Sequence, residues 1–447
     1  MTSADNNPAL TPPAPTPTGN MLVLMRPNIK TTTAAKRLTD ASGLKVAVAR
    51  DYAKSAATAG SGLPDADCYF MDDLNIAVLK SADSEKAAAL ASTLEADDDV
   101  RMVRPEFYMY TLNTMQQRYD SWVRDGLRIL ADGAPQGQRA PVSGATAAAQ
   151  FMDDASATWG IKAIKADQSP YSGRGIQVAV LDTGFDSDHP DFTGRSVTSA
   201  SFVPGQSAED VQGHGTHCIG TACGPGATSQ HPRYGVAGDA EIFVGKVLGN
   251  DGRGAESWIL NGMNWAVRNK CEVISMSLGR PTRLNEPHDL MYEAAGEAAL
   301  EAGSLIIAAA GNDSIRRWWW VAPVGAPANS PSIMAVGAVD SDMNVASFSN
   351  GGRNPNGGEV NIAGPGVDIF SSYPMSRRYR TIDGTSMACP HVAGVAALLA
   401  ESDPALRGQK LWDALRRSAR DIGLPMRDGG AGLVQAPGSA GGGGLIA

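Results

Sequence analysis

Five short runs in the second half of the chain constrain the fold more than any other feature. IQVAVL (176–181), EIFVGKVL (241–248), VISMSL (273–278), SLIIAAA (304–310) and SIMAVGAV (332–339) are apolar at nearly every position and rich in β-branched residues. A strand with one wet face alternates polar and apolar side chains, whereas an unbroken apolar run of this length belongs to a strand buried on both faces. Helical patterns at 257–269 and 291–302 lie between the runs. Strands alternating with helices predict an α/β architecture, a doubly wound parallel sheet with helices on both faces.

The first part of the chain reads differently. Residues 21–112 give strand, helix, strand, strand, helix, strand at 21–25, 33–38, 44–49, 69–79, 84–94 and 100–110, the split βαβ order of a small ferredoxin-like α+β unit. Before it, MTSADNNPALTPPAPTPTGN (1–20) is a Pro/Thr-rich stretch expected to be a disordered leader. It has neither the basic start nor the apolar core of a secretory signal, so the expectation is a cytoplasmic chain or one exported by another route. Residues 113–154 divide into an amphipathic helix carrying Met115, Tyr119, Trp122, Val123, Leu127 and Leu130 and a Gly/Pro/Ala-rich linker. The strand-and-helix alternation fills 155–436, and a Gly-rich flexible tail fills 437–447.

Composition removes several classes of function. The 447 residues carry 38 Lys and Arg against 47 Asp and Glu, a net charge of −9 with no long basic run, which disfavours nucleic acid and anionic membranes as partners. No window approaches the ~20 apolar residues that span a bilayer. The cysteines Cys68, Cys218, Cys223, Cys271 and Cys389 form no CxxC pair, so neither a zinc knuckle nor a redox pair is expected, and they read as free thiols.

Three junctions between apolar strands and small-residue helices hold catalytic residue types. Asp182 follows IQVAVL, His214 sits in GHGTHCIGTAC, and Ser386 sits in DGTSMACPHVAGVAALLA at the entry to a long apolar helix. A hydroxyl becomes a nucleophile at neutral pH when a base takes its proton. Imidazole suits that pH, and a carboxylate fixes its tautomer and stabilises its cation. A helix N-terminus beside Ser386 favours the anion that develops there.

These three segments resemble the signature blocks of the subtilisin-like serine proteases, in the order Asp, His, Ser. The resemblance continues through VLGNDGRGAESWILNGMNWAV, SMSLG, AAAGN, PSIMAVGAVD, ASFSN and IAGPGVDIFSSYP, over roughly 155–436. HGTHC leans toward the proteinase K side of the family. The resemblance implies that Asp182 orients, His214 is general base and acid, Ser386 attacks the peptide carbonyl, and Asn312 supplies an oxyanion-hole amide. It implies that substrate backbone pairs as an added strand with Gly252, Arg253 and Gly254 and with Ser277, Leu278 and Gly279. Gly311 and Gly325 would line a pocket roomy enough for a large apolar side chain.

The first unit, by the same resemblance, is a propeptide that acts as an intramolecular inhibitor, its last strand lying in the cleft and its scissile bond near Leu112, within Met109 to Gln117. No cofactor is required for the chemistry. Asp191 matches an acidic calcium ligand of many relatives, but the loop at 224–234 (GPGATSQHPRY) offers few oxygen-rich side chains, which leaves a structural calcium to another site or to none. Cys218, one helical turn after His214, is expected to pack beneath the base and His217 to be structural, while His189 and His391 lie beside catalytic-block residues without an evident role. Trp318, Trp319 and Trp320 fall beside the pocket, where they either cover it or bind apolar substrate, or else pack in the core or form an oligomer contact. The reading is a self-processing serine endopeptidase acting on proteins or peptides. A processing protease with one dedicated substrate, and a propeptide-blocked binding scaffold, are the alternatives.

Overall fold

The computed structural model describes residues 14–51, 66–80, 84–112, 151–355, 357–375 and 377–438. The helix expected at 115–130, the linker after it, the start of the leader and most of the tail lie outside the described residues.

The first unit is a sheet with helices on one face. Its strands are β1 (Pro17–Met25), β2 (Val46–Val48), β3 (Cys68–Met71), β4 (Ile76–Leu79) and β5 (Val100–Thr111), and its helices are α1 (Thr31–Ser42) and α2 (Ser84–Glu95). The strand order is β5–β1–β4–β3–β2. Two expectations need correction. The single strand expected at 69–79 is a hairpin, because Asn75 turns the chain with a φ of 56°, in the left-handed region that Asn tolerates. The strand expected at 44–49 is present over Val46–Val48, as an edge parallel to β3. The strand β1 also begins four residues before the expected start, inside the supposed leader, since Thr18 Oγ1 and Asn20 Nδ2 both donate to the buried Glu106 carboxylate of β5, the latter at 2.7 Å.

The larger unit is the expected parallel sheet. Its strands run in the order β14 (Ile362–Pro365), β13 (Met334–Val339), β12 (Leu305–Ala309), β10 (Val273–Met276), β6 (Gln177–Asp182), β8 (Glu241–Lys246) and β7 (Val197–Ser201), every neighbouring pair parallel. The chain moves from β6 to β7 at one edge, returns to β8, then crosses β6 to build the other side. That reversal opens a crevice at the carboxyl ends of the strands, and Asp182 is the last residue of β6.

Helices α3 (His214–Cys223) and α6 (Thr385–Ser402) cover one face, with Val178, Val180, Ile242 and Ile307 beneath them. Helices α4 (Glu256–Arg268) and α5 (Leu290–Glu301) cover the other, over Ala179, Leu181, Ile274 and Ile306. A further helix, α7 (Gln409–Ser418), packs on the end of α6 through Leu411 and Leu415. Consecutive residues of β6 thus enter opposite cores, which explains the absence of alternation in its sequence. No helix among the described residues is long and apolar enough to cross a membrane.

The two units share one layer. Leu22, Leu24, Tyr69, Met71, Ile76 and Val78, on the helix-free face of the first sheet, belong to the same apolar cluster as Ile259, Leu260 and Met263 of α4. Around this contact Arg104 bonds Glu256 at 2.7 and 3.1 Å and Asp289 at 2.6 Å, and Glu106 accepts from Ser257 N at 2.6 Å, at the positive end of α4.

Small residues let α3 and α6 approach closely. A Cβ on Gly394 of α6 would stand 2.4 Å from Val236 Cβ and 3.0 Å from the Ala222 carbonyl oxygen, so Gly394→Ala overpacks this crossing. The expected cost is about 1–3 kcal/mol, read as a lower thermal midpoint. An unchanged midpoint would contradict the packing described.

Candidate active site

Asp182, at the end of β6, and His214, the first residue of α3, meet in the crevice. His214 Nδ1 lies 2.8 Å from Asp182 Oδ1 and 3.0 Å from Oδ2, with both side chains almost wholly buried. Burial alone would push the imidazole pKa down. The charge and hydrogen bond of Asp182 outweigh it, and the pKa lies above the ordinary value. With Nδ1 held by the carboxylate, Nε2 is left as the working nitrogen, and it has no hydrogen-bond partner.

Ser386 is the second residue of α6 and fully buried. Its Oγ leans toward the Ser277 carbonyl at 3.4 Å, and its own carbonyl accepts from Ser277 Oγ at 2.8 Å. Asn312 stands at the loop after β12. Its Oδ1 accepts from Thr385 N at 2.9 Å and from Thr385 Oγ1 at 2.7 Å. That orientation commits the oxygen to Thr385 and leaves the Nδ2 amino group as the donor on the other side of the amide. The N–H of Ser386 is in the first turn of α6, where a helix offers no internal acceptor. A side-chain amide and a backbone amide beside one hydroxyl make a set of donors for a developing oxyanion.

The segments expected to pair with substrate backbone are already paired. Strand β5 runs between β9 (Arg253–Ala255) and β11 (Leu278–Gly279), antiparallel to both. Tyr108, Met109 and Tyr110 oppose Ala255, Gly254 and Arg253, while Thr111 and Tyr110 oppose Leu278 and Gly279. Thr111 N donates to the Gly252 carbonyl at 2.8 Å, which extends the ladder. Leu112 is buried beyond it, with its Cδ2 3.6 Å from where a Cβ of Gly279 would be.

Gly279 and Gly325 flank the isolated bridge between Arg280 and Ala326. A Cβ at Gly279 would meet the Ala326 oxygen at 2.6 Å, and one at Gly325 the Arg280 oxygen at 2.7 Å. Gly311 has a φ of +114°, which strains any other residue, and its N–H donates to Thr385 Oγ1 at 3.2 Å. Gly279 and Gly325 therefore let the 278–280 and 325–326 segments close against each other beside Leu112, whereas a Cβ at Gly311 would meet Asn350 Nδ2 at 2.2 Å.

His217, His391 and His189 are held by carbonyls. His217 Nε2 lies 3.1 Å from the Ile369 and Arg380 oxygens, His391 Nδ1 lies 2.8 Å from the Met387 oxygen, and His189 Nε2 lies 2.8 Å from the Arg378 oxygen. Burial pushes the pKa of His217 down to about 3 and that of His391 down to about 4, so both are neutral. Cys218 packs beneath the base, its sulfur 3.8 Å from His214 Nδ1, and donates to the Ser386 carbonyl at 3.5 Å. Of the three tryptophans, Trp320 is buried, while Trp318 and Trp319 are 62% and 94% exposed, so the run is divided between core and surface.

Asp191 does not offer a calcium site. Its carboxylate accepts from the Tyr234 hydroxyl and, at 3.0 Å, from the Tyr379 hydroxyl, and His231 Nε2 stands 3.4 Å away. Calcium needs six to eight oxygen ligands, and here phenols and imidazole rings crowd the carboxylate instead. Among the described residues, the His, Cys, Asp and Glu side chains close enough to share an ion are Asp182, His214 and Cys218, and the first two are already bonded to each other.

Sequence reasoning passed over three buried polar residues around the Asp–His pair: Thr183, Asp210 and Lys246. A signal for one was present, since Asp210 is an Asp just ahead of a helix start, the composition of a capping residue.

The comparisons with known proteins agree with this geometry. The Peptidase_S8 profile of the subtilase family matches residues 173–434. Subtilisin BL of Lederbergia lenta is 40% identical over 285 residues, 63% of this chain and 97% of that protein. Subtilisin E of Bacillus subtilis (strain 168) is 39% identical over 273 residues, 60% of this chain and 67% of that protein. Among solved structures, Sphericase matches with a TM-score of 0.55 at 31% identity, over 62% of this chain and 98% of its own. A cold adapted subtilisin-like serine proteinase matches with a TM-score of 0.52 at 32% identity, over 62% and 96%. With a seven-stranded parallel sheet, a buried Asp–His pair at its switch point and these likenesses over the same residues, the chain belongs to the subtilase family and is a serine endopeptidase.

Proposed function

We propose that the chain is made as a self-processing zymogen, in which residues 21–112 inhibit the peptidase unit until they are cut away. The observation that carries this reading is the position of β5, the middle strand between β9 and β11, ending at a buried leucine beside Gly279. An extended segment on the substrate edges, stopping at the pocket, has the form of the acyl half of a cleaved peptide.

The chemistry proposed runs through Asp182, His214 and Ser386. Ser386 Oγ turns from the Ser277 carbonyl to His214 Nε2, gives up its proton there and bonds to the peptide carbonyl carbon. The carbonyl oxygen takes the negative charge and is met by Asn312 Nδ2 and the Ser386 N–H. Such a donor is worth ~10²–10³ in kcat in enzymes of this kind. The intermediate collapses, His214 hands its proton to the leaving amine, and an acyl-enzyme remains. Water, deprotonated by the same nitrogen, then releases the acid and restores the serine. Asp182 keeps Nδ1 protonated throughout and stabilises the imidazolium that forms twice in the cycle. Substrate recognition is through backbone pairing with 252–254 and 277–279, which favours broad specificity with a preference for a large apolar side chain beside Gly279, Gly311 and Gly325. Calcium at Asp191 has no part in this reading; the two tyrosines and His231 hold that corner.

Maturation tests the zymogen. The wild-type chain is expected to yield a piece near 1–112 and a larger fragment whose first residue, read by N-terminal sequencing, lies close after Leu112 and no further than Gln117. The rate is expected to be independent of protein concentration, as for an intramolecular cut. Ser386→Ala should stay at full length. A wild type that hydrolyses peptides yet also stays intact would rule the reading out.

The pH profile tests the base. Nε2 accepts a proton only while the imidazole is neutral, so kcat/KM falls as pH drops through the His214 pKa. Because that pKa lies above the ordinary imidazole value, the acid limb is expected above about pH 6.5. A flat profile from pH 5 to 9 would remove His214 from the role.

Chelation tests the Asp191 corner. Asp191→Asn in the Ser386→Ala chain should lower the thermal midpoint, since a lost buried hydrogen bond costs about 1–3 kcal/mol. The shift between EDTA and calcium should be the same with and without the substitution. A calcium response that disappears in Asp191→Asn would make Asp191 a ligand after all.

A further inference from the structure

The helix that carries the base has no side-chain cap of its own, because its capping position is Gly213. A helix start leaves its first amides without internal acceptors, and in α3 each is answered by a side chain. Gly213 N and Thr216 N donate to the two oxygens of Asp210 at 2.8 and 2.9 Å. His214 N donates to Gln212 Oε1 at 2.9 Å, and Gly215 N to Thr183 Oγ1 at 2.8 Å. Asp210, 4% exposed, further accepts from Gln212 N at 3.0 Å, Thr216 Oγ1 at 2.8 Å and Thr183 Oγ1 at 2.9 Å.

Thr183 closes the loop between the two halves of the pair. It follows Asp182 in the chain, and its N–H donates to Asp182 Oδ1 at 2.7 Å. Its hydroxyl is held between Asp210 and the amide next to His214. On its other side Lys246, fully buried and opposite Asp182 in the sheet register, donates to the Thr183 carbonyl, to Asn250 Oδ1 at 2.9 Å and to the Glu209 carbonyl at 3.3 Å. The end of β6 and the start of α3 are joined through Asp210 and Thr183, with Lys246 bracing the strand side.

We propose that Asp210 is a positioning residue for the Asp182–His214 pair: through five hydrogen bonds it fixes the start of the histidine helix against the residue that follows Asp182. The proposal rests on the reading of Asp182, His214 and Ser386 as the triad. The groups around the imidazole are Asp182 in contact, Asp210 behind the helix start, the Cys218 thiol, the neutral His217 and, past Thr183, the Lys246 ammonium. Burial raises the Cys218 pKa, so the thiol stays uncharged. Asp210 is thus a second negative charge that favours the protonated imidazole, in addition to its geometric part.

The test separates position from charge. Asp210→Asn keeps the size but turns an amino group toward N–H and O–H donors. It is expected to lower kcat ~10–100-fold, the scale of a small misplacement of catalytic groups, with KM within about twofold. It should also move the acid limb of kcat/KM down by roughly half a pH unit, since a charge favouring the imidazolium is gone. Thr183→Val removes the link without removing charge, so kcat falls while the acid limb stays; Thr183→Ser restores kcat. Active sites are counted by fluorophosphonate titration, so that unfolded protein does not enter kcat. Unchanged kcat per titrated site and an unchanged acid limb in Asp210→Asn would overturn the proposal while leaving the triad reading intact. Should Asp210→Asn not fold, a Thr183→Val enzyme as fast as wild type overturns it equally. A wild type that hydrolyses peptides without reacting with the fluorophosphonate would overturn the triad reading, and this proposal with it.

Discussion

A proline inside a helix decides how the nucleophile is held. Pro390 lies in α6 and has no N–H to give to the carbonyl four residues earlier, which is that of Ser386. The freed carbonyl is taken by Ser277 Oγ at 2.8 Å and by the Cys218 thiol at 3.5 Å. One acceptor thus joins the helix of the serine, the strand edge that pairs with extended chain and the helix of the histidine. Had residue 390 carried an amide hydrogen, it would have competed for this carbonyl within the helix, and the link from the serine helix to Ser277 Oγ and the Cys218 thiol would be weakened. The site depends on a donor that is missing by design of the sequence.

The interface between the two units follows the same economy of polar groups. Its apolar part is a sheet face laid on α4, while its charged parts stand at the two ends of that helix: Arg104, Glu106, Glu256 and Asp289 at its start, and Arg268 with Asp72 and Asp73 at its end. Pairing these groups recovers much of what it costs to bury them, so their net contribution to affinity is small, and their effect is on register. A slip of β5 by one residue would turn Glu106 away from the amide of Ser257 and every side chain of the strand to the opposite face. Charge sets which residue of β5 faces which residue of β9 and β11, and the apolar face supplies the adhesion.

Much of this was legible in the sequence because the central strands are buried on both faces and the small-residue helices must pass close to them. Such positions accept few residue types, so β6, β8, β10, β12 and β13 stand out as apolar runs. The edges did not stand out. β7 (VTSAS) is mostly exposed and carries no apolar pattern, and β14 (IAGP) is too short for periodicity to speak. The hairpin of β3 and β4 was read as one strand because its turn contains no glycine or proline. Asp182, His214, Ser386 and Asn312 were named through a family resemblance, and their neighbours Thr183, Asp210 and Lys246 were not, since a buried polar residue is recognised by its partners and these come from distant parts of the chain. Asp191 went the other way. Its sequence context suggested a metal, and the aromatic side chains that occupy its oxygens come from residues some 40 and 190 positions further on.

All five cysteines are buried as free thiols, and burial raises their pKa, for Cys68 and Cys223 to about 12 and for Cys389 to about 11. Thiol exchange proceeds through the thiolate, which these sulfurs scarcely populate at neutral pH. The folded chain therefore has almost no thiolate to offer a disulfide or a thiol-directed reagent, whatever the redox poise around it. Reactivity appears only when a segment opens, and it appears segment by segment: Cys68 reports on the first sheet, Cys271 on the base of β10, Cys218 and Cys389 on the helices of the base and the nucleophile. The sulfurs amount to a set of internal clocks, each silent until its own part of the structure comes apart.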